Sequence, residues 1–368
     1  MKTKRKSRPN RMWTGMLLFC SYLLYPSIVK AEDEEHQSTS PQISGFIETT
    51  YNLNFAFPLT NSLRSYDARA NQILLNNAHF SLSGSSKVLM YTAEIDFGTD
   101  ASVHGLVHQG ISGINGGPIG VDIQEAYITY QPLKEIGLTV GRFVTLEGIE
   151  VIEGPANPTI SRGYLFGLAE PFSHVGGYFK ISPSDSFFIK LGAINGWDLF
   201  LDNNNFKTII SEIGFNFDPV AFDIAYYVGA EQPANNTNLR HSVDLTGITK
   251  IIPNVDLWFQ GNYGTERKAA LDGKDASWYG FGLQPLISLT DSHLLGVRYE
   301  LFSDSGGART GTSELLAHNL SIVPTYKLNS FMLRGEYRLD LANKEAFLTE
   351  KGTSKTSNTV SLGFSYNF

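Results

Sequence analysis

Apolar and polar side chains alternate one for one along much of this chain. The last nine residues show it most clearly: Val360, Leu362, Phe364, Tyr366 and Phe368 take one parity, and Ser361, Gly363, Ser365 and Asn367 the other. Successive side chains of a β-strand point to opposite faces, so this pattern predicts a strand with one oily and one polar side. Segments of the same period recur at 46–57, 88–97, 122–130, 187–194, 209–217, 221–228, 255–263, 294–302, 331–341 and 360–368. Weaker ones at 73–82, 138–143, 174–181, 242–249, 279–285 and 320–326 fill the gaps. Each is near the roughly ten residues that a tilted strand needs to cross a bilayer.

The connections sort by length. Short turns near 84–86, 132–136, 183–185, 218–219, 253–254, 290–291 and 328–329 alternate with longer loops near 58–71, 99–120, 146–171, 198–206, 231–240, 265–275, 303–313 and 342–356. Short turns at one rim and long loops at the other are the habit of outer-membrane barrels. In a soluble sandwich, edge strands this regular would invite aggregation, whereas a closed barrel in lipid has no edge. The fold expected is all-β: a transmembrane, antiparallel up-and-down β-barrel of about sixteen strands over residues 43–368. An even strand count brings the chain back to its starting side, so both termini are expected in the periplasm, with 32–42 as a short lead-in.

Parity also sorts the charges. Along 331–341, Leu333, Gly335, Tyr337, Leu339 and Leu341 share one face, and Arg334, Glu336, Arg338 and Asp340 the other. Lys or Arg at the bilayer midplane costs about 2–4 kcal/mol, so the charged face belongs inside. The same rule places Glu94, Asp96, Lys190, Glu212, Asp223, Asp256, Arg298 and Glu300 in the lumen. Sixteen strands leave an aqueous channel, where eight would be filled by their own side chains. Eight of these lumen charges are acidic and four basic, which predicts a weak preference for cations, screened at high salt.

The amino terminus sets the compartment. Lys2, Lys4, Arg5, Lys6, Arg8 and Arg11 precede a mostly apolar run over 12–25, and Val29-Lys30-Ala31 offers a cleavage site ahead of Glu32-Asp33-Glu34-Glu35. This reads as a secretory signal peptide over residues 1–31. The apolar run is shorter than the ~20 residues of a membrane helix. Cys20 would leave with the leader, and Phe19 before it argues against a lipidation site. Of 29 basic and 36 acidic residues, the leader takes seven basic ones and no acid, leaving a net charge of −14. Nucleic acid is excluded as a partner on that charge. Without Cys20 there is no disulfide or thiol chemistry. A mean hydropathy of −0.12 with 12% aromatics excludes a helical membrane protein and suits alternating strands.

Ordered motifs then carry a family resemblance. Gly141-Arg142-Phe143-Val144-Thr145 is followed by Gly148, Glu150, Asn157, Ser161-Arg162, Pro171 and Gly176, and later by Asn195-Gly196-Trp197-Asp198 and Asp202-Asn203-Asn204-Asn205. With the opening Gly45-Phe46-Ile47-Glu48-Thr49-Thr50-Tyr51 and residues 76–82, the mature chain resembles the beta-barrel porin family of the OmpL-like type. That resemblance implies pore formation without fixing a solute. The terminal Phe368 likewise resembles the signal read by the barrel assembly machinery.

By analogy with trimeric general porins, whose third external loop folds inwards, the loop at 146–171 is a candidate constriction. Glu147, Glu150 and Glu153 would then face Arg142 and Arg162 across the passage and strengthen the cation preference. The other reading is a solvated cap stiffened by Pro155 and Pro158.

Catalytic, metal and cofactor chemistry finds little footing. His79, His174, His241, His293 and His318 are scattered singly and read as wall or interface residues. His104 and His108 lie four apart, but in a Gly-rich loop rather than on a helix face. Asp202-Asn203-Asn204-Asn205 lacks the Gly and terminal Glu of an EF-hand, and Gly113, Gly116, Gly117 and Gly120 lack a P-loop lysine. Three functions follow: passive diffusion of small hydrophilic solutes and ions through a Gram-negative outer membrane, a solute-specific channel, and a barrel enzyme or adhesin. No catalytic residue, cofactor or metal is assigned. The partners expected are outer-membrane lipid, the barrel assembly machinery and small solutes, with a homotrimer open beside a monomer.

Overall fold

The computed structural model describes residues 39–104 and 120–368, so the leader, His108 and the glycines at 113, 116 and 117 lie outside the described residues. Sixteen strands close into one antiparallel barrel. They are β1 (Thr39–Asn54), β2 (Gln72–Ser86), β3 (Leu89–Gly98), β4 (Gly120–Leu133), β5 (Ile136–Val144), β6 (Ser173–Ser184), β7 (Phe187–Ile194), β8 (Thr208–Phe217) and β9 (Val220–Ala230). The circuit continues through β10 (Leu239–Ile252), β11 (Val255–Glu266), β12 (Ala276–Ser288), β13 (His293–Asp304), β14 (Leu315–Leu328), β15 (Phe331–Ala342) and β18 (Thr356–Asn367). The hairpin β16 (Phe347–Thr349) and β17 (Gly352–Ser354) stands apart in the last loop. β18 pairs with β1 from Phe46–Asn367 to Asn54–Thr359, which removes the free edge.

All sixteen alternating segments are strands. β1 begins at Thr39, inside the stretch read as lead-in, because Thr39 and Gln42 find partners in Ser85 and Ser83 of β2. Parity holds on both faces: Leu362, Phe364 and Tyr366 point outwards and are exposed, whereas Ser361 and Ser365 are buried inside. Among the described residues, helix is limited to single turns at Ala101–His104, Gly154–Ala156 and Leu165–Ala169. None of the helices is long and apolar enough to cross a membrane; the strands satisfy their backbone groups pairwise and do so instead.

Two long loops enter the barrel. In loop 1 (55–71), Asn61 Nδ2 donates to Asn52 Oδ1 of β1 at 2.9 Å, and Arg64 Nη2 reaches Asp340 Oδ2 of β15 at 2.5 Å. Loop 3 (145–172) crosses the interior and is buried over most of its length.

Candidate functional site

Loop 3 is held by the charges that parity placed inside. Arg298 Nη1 donates to Glu150 Oε1 at 2.7 Å, Thr159 Oγ1 at 2.7 Å and the Ser161 carbonyl at 2.5 Å. Arg334 Nη1 spans the carbonyls of Gly154, Asn157 and Thr159 at 3.1, 3.3 and 3.1 Å, while its other amine pairs with Glu48. Arg338 Nη1 takes the Arg162 carbonyl at 2.6 Å. Carboxylates serve the loop's N–H groups: Glu336 accepts from Ile160 and Ser161 at 2.9 and 2.7 Å, and Glu300 from Tyr164 at 2.7 Å. An irregular backbone inside a barrel leaves many orphan polar groups, and these wall side chains satisfy them.

Small residues make room. A Cβ on Gly296 would sit 2.2 Å from the Pro158 carbonyl, and one on Gly280 would sit 2.2 Å from Leu165 Cδ2. Tyr164, Leu165 and Ala169 pack on Trp197, Trp278, Phe302 and Ala317 of the wall and its rim. Burial of Leu165 alone contributes about 1.5–3 kcal/mol.

The two ends of loop 3 dock on β10 and β11. Asp244 Oδ1 accepts from Gly148 N at 3.0 Å, and Ser242 Oγ donates to Glu147 Oε2 at 3.0 Å. Gln260 Nε2 bridges Glu170 Oε2 at 2.5 Å and Asp244 Oδ2 at 2.9 Å. Gly148 adopts φ +94° with the Glu170 carboxylate against it, so a side chain there would be both strained and blocked. Burial, and then the charge of Asp244, pushes the Glu147 and Glu170 carboxyls well above their ordinary range.

Loop 3 does enter the barrel, and there the three acids of the candidate constriction, Glu147, Glu150 and Glu153, bond groups other than Arg142 and Arg162. The wall supplies Ser242, Arg298 and, on β4, Gln124, and the loop itself supplies Gly163 N–H to Glu150 at 2.6 Å. Arg142 pairs with Asp122 at 2.6 Å, and Arg162 turns back to the carbonyls of Val151, Ile152 and Ile160. A buried guanidinium takes the nearest acceptors, and for Arg162 these are the loop's own backbone.

The lumen set also divides. Asp96, Arg298, Glu300, Arg334, Glu336, Arg338 and Asp340 face inwards but are at most 2% exposed, being covered by loops, neighbours or one another. They line protein rather than water. Glu94, Lys190, Asp223 and Asp256 lie on less covered stretches of the wall, and Glu212, beside Lys190, is only 5% exposed. There Lys190 stands opposite Glu212, with Nζ 2.6 Å from Oε2, and also opposite Lys180, which the sequence reading missed although it shares parity with Tyr178. Lys180 Nζ lies 4.8 Å from the Phe188 ring centre, and Lys190 Nζ 5.2 Å. The histidines are wall or surface groups: His79 Nδ1 bonds Asp96 at 2.7 Å, His174 bonds the Gly196 carbonyl, and His241 and His318 bond Tyr226 and Tyr299. Among the described residues, no group of three or more His, Cys, Asp or Glu is arranged to hold a metal.

Known structures share this architecture. An anion-selective porin from Comamonas acidovorans superposes with a TM-score of 0.62 at 10% identity, over 89% of this chain and 99% of that one. OmpF of Salmonella typhi in complex with daunomycin gives 0.62 at 12% identity over 90% and 100%. In-vitro folded OmpT of Vibrio cholerae in its trimer form gives 0.58 at 11% identity over 90% and 100%. At these identities the likeness is one of fold. No curated protein matches the sequence. The family model described as "Putative beta-barrel porin-2, OmpL-like" matches residues 40–368, the whole barrel, and the chain belongs to that family of outer-membrane porins.

Proposed function

We propose that this porin is a non-enzymatic, weakly cation-preferring channel for passive diffusion of small hydrophilic solutes across a Gram-negative outer membrane. It is exported through a cleaved leader, sits with both termini in the periplasm and works as a homotrimer. The observation that carries the reading is loop 3, strapped to β10, β11, β13 and β15 so that the half-covered wall of β6–β9 borders what remains of the lumen. The trimer reading draws support from the trimer form of the structurally similar OmpT.

Among the less covered charges, Glu94 of β3, Asp223 of β9 and Asp256 of β11 stand against Lys180 and Lys190, while the covered ones are matched by neighbours of opposite sign, as in Lys190–Glu212, Arg298–Glu150 and Arg338–Asp340. The small acid excess gives the cation bias. In a planar bilayer under a salt gradient, the wild type should show a cation-side reversal potential, and Asp223→Asn with Glu94→Gln should bring it towards zero. An anion-side potential for the wild type would overturn the charge assignment.

Lys180, Lys190, Phe188 and Tyr178 together support a solute-specific alternative, which a conductance that saturates with solute would favour. The non-enzymatic reading rests on the surroundings of His79. Its Nε2 has a carboxylate 4.0 Å away, Glu94, and Ser81 donates to that carboxylate rather than to the imidazole.

Phe368 closes the seam as well as ending the chain: its N–H donates to Gly45 O at 2.9 Å and its carbonyl accepts from Gly45 N at 3.0 Å. Deleting Phe368 is expected to abolish the heat-modifiable band of closed barrel on a gel. Normal migration would place the assembly signal elsewhere.

A further inference from the structure

The outer face of the barrel is anchored unevenly. Towards the long-loop rim, nine consecutive strands each present a side chain with an apolar body and a polar tip, or a hydrogen-bonding partner to one. These are Tyr226 on β9, His241 on β10, Tyr263 on β11, Tyr279 on β12, Tyr299 on β13, His318 on β14, Tyr337 on β15, Asn358 on β18 and Tyr51 on β1. They bond laterally: Tyr226 Oη to His241 at 2.8 Å, Tyr299 Oη to His318 at 3.0 Å, and Tyr337 Oη to Asn358 at 2.8 Å. Such a girdle marks the boundary between hydrocarbon and headgroups.

The girdle stops across β2–β8. At the same rim these seven strands present Ile73, Leu75, Ile95, Phe97, Ile123, Val140, Val175, Gly177, Leu191, Ala193 and Ile209, with no outward tyrosine, tryptophan or histidine among the described residues. Tyr91 and Tyr130 keep an aromatic border at the short-turn rim of the same strands, so the gap is confined to one level. At that level Val140, Gly177, Ala193 and Ile209 are successive cross-strand partners. The two small residues leave a hollow between two exposed branched ones, the relief by which membrane surfaces pack closely.

We propose that the β2–β8 face, at the level of Val140, is where copies of this chain meet in a closed ring. This rests on the homotrimer reading and adds the face to it. A surface shielded by protein needs no headgroup anchors, whereas one facing lipid at that level does. The width selects the partner: seven adjacent strands of sixteen are nearly half the circumference, which suits a barrel turned towards two neighbours and a common axis. β5 is the middle strand of the arc, so Val140 lies nearest the axis.

The sequence has one cysteine, Cys20, inside the leader, so Val140→Cys gives a mature chain with a single thiol. Oxidation in native outer membrane should join Val140→Cys copies into disulfide dimers, while Tyr279→Cys, on the far side, stays uncrosslinked. Ala193→Phe, which fills the hollow yet points outwards, should dissociate the oligomer on sizing while leaving a heat-modifiable, conducting barrel. A trimer that crosslinks through Tyr279→Cys and not Val140→Cys would overturn the face and leave the trimer standing. A monomeric wild type would overturn both, and crosslinking of Val140→Cys only to another protein would overturn self-association. Conductance, measured separately, tests the channel itself.

Discussion

Replacing Arg298 with alanine is expected to release loop 3 and raise single-channel conductance several-fold. The guanidinium is 0% exposed; it pairs with Glu150 at 2.7 Å, lies 3.8 Å from Glu336 and holds the Ser161 carbonyl. Removing one partner of a buried pair leaves the other charged and dry, at a cost of about 3–5 kcal/mol. At about 1.4 kcal/mol per decade, that favours the undocked loop by roughly two to three and a half powers of ten. Arg298→Lys keeps the charge but loses the fork, whose Nη1 takes Glu150, Thr159 and the Ser161 carbonyl while Nη2 takes Ser161 Oγ and Nε takes Asn319, so its conductance should fall between the two. Trypsin gives an independent readout: Arg162, 2% exposed in the docked loop, should be cut in Arg298→Ala and spared in the wild type. A variant with wild-type conductance and an intact Arg162 bond would show that the other anchors suffice.

Why the arginine's role was not legible in the sequence follows from what parity can report. Alternation fixes the side of the sheet on which Arg298, Arg334 and Arg338 lie, and in the closed barrel all three bond loop 3. It says nothing about what covers that side, because the covering atoms are backbone carbonyls more than a hundred residues away. Setting Glu147, Glu150 and Glu153 opposite Arg142 and Arg162 likewise let sequence proximity stand in for spatial proximity, and it could not show the bonds to Ser242, Arg298 and Gln124. A signal was present in the wall glycines. Gly280, Gly282 and Gly296 occupy inward parity positions where a water-lining wall could carry polar side chains, and loop 3 lies against each of them. Inward glycines clustered on neighbouring strands mark where another backbone approaches. The resemblance to porins supplied the inward loop; the glycines locate its seat.

The hold on loop 3 is expected to weaken as pH rises. Glu147 accepts from Ser242 of β10 and Glu170 from Gln260 of β11, beside Asp244 with its Asn262 donor; Arg240 and Arg309 lower the Glu147 carboxyl, and Glu147 and Glu150 raise that of Glu170. Burial and the neighbouring acid raise both carboxyls, so the docked loop binds more protons than the released one. An acid raised on docking favours the docked state fully below its ordinary value, about 4.3 for glutamate, and loses that advantage as pH climbs from there through the docked value. Each linked proton changes the docking equilibrium up to about tenfold per pH unit, so two can change it up to about a hundredfold. Open-channel current should therefore be lowest in acid and grow towards alkaline pH. Glu147→Gln with Glu170→Gln keeps the shape and the amide-compatible bonds while removing both protons, and should give a flat profile. A wild-type current that falls with rising pH, or a double variant as pH-sensitive as the wild type, would show that these two carboxyls are not the latch.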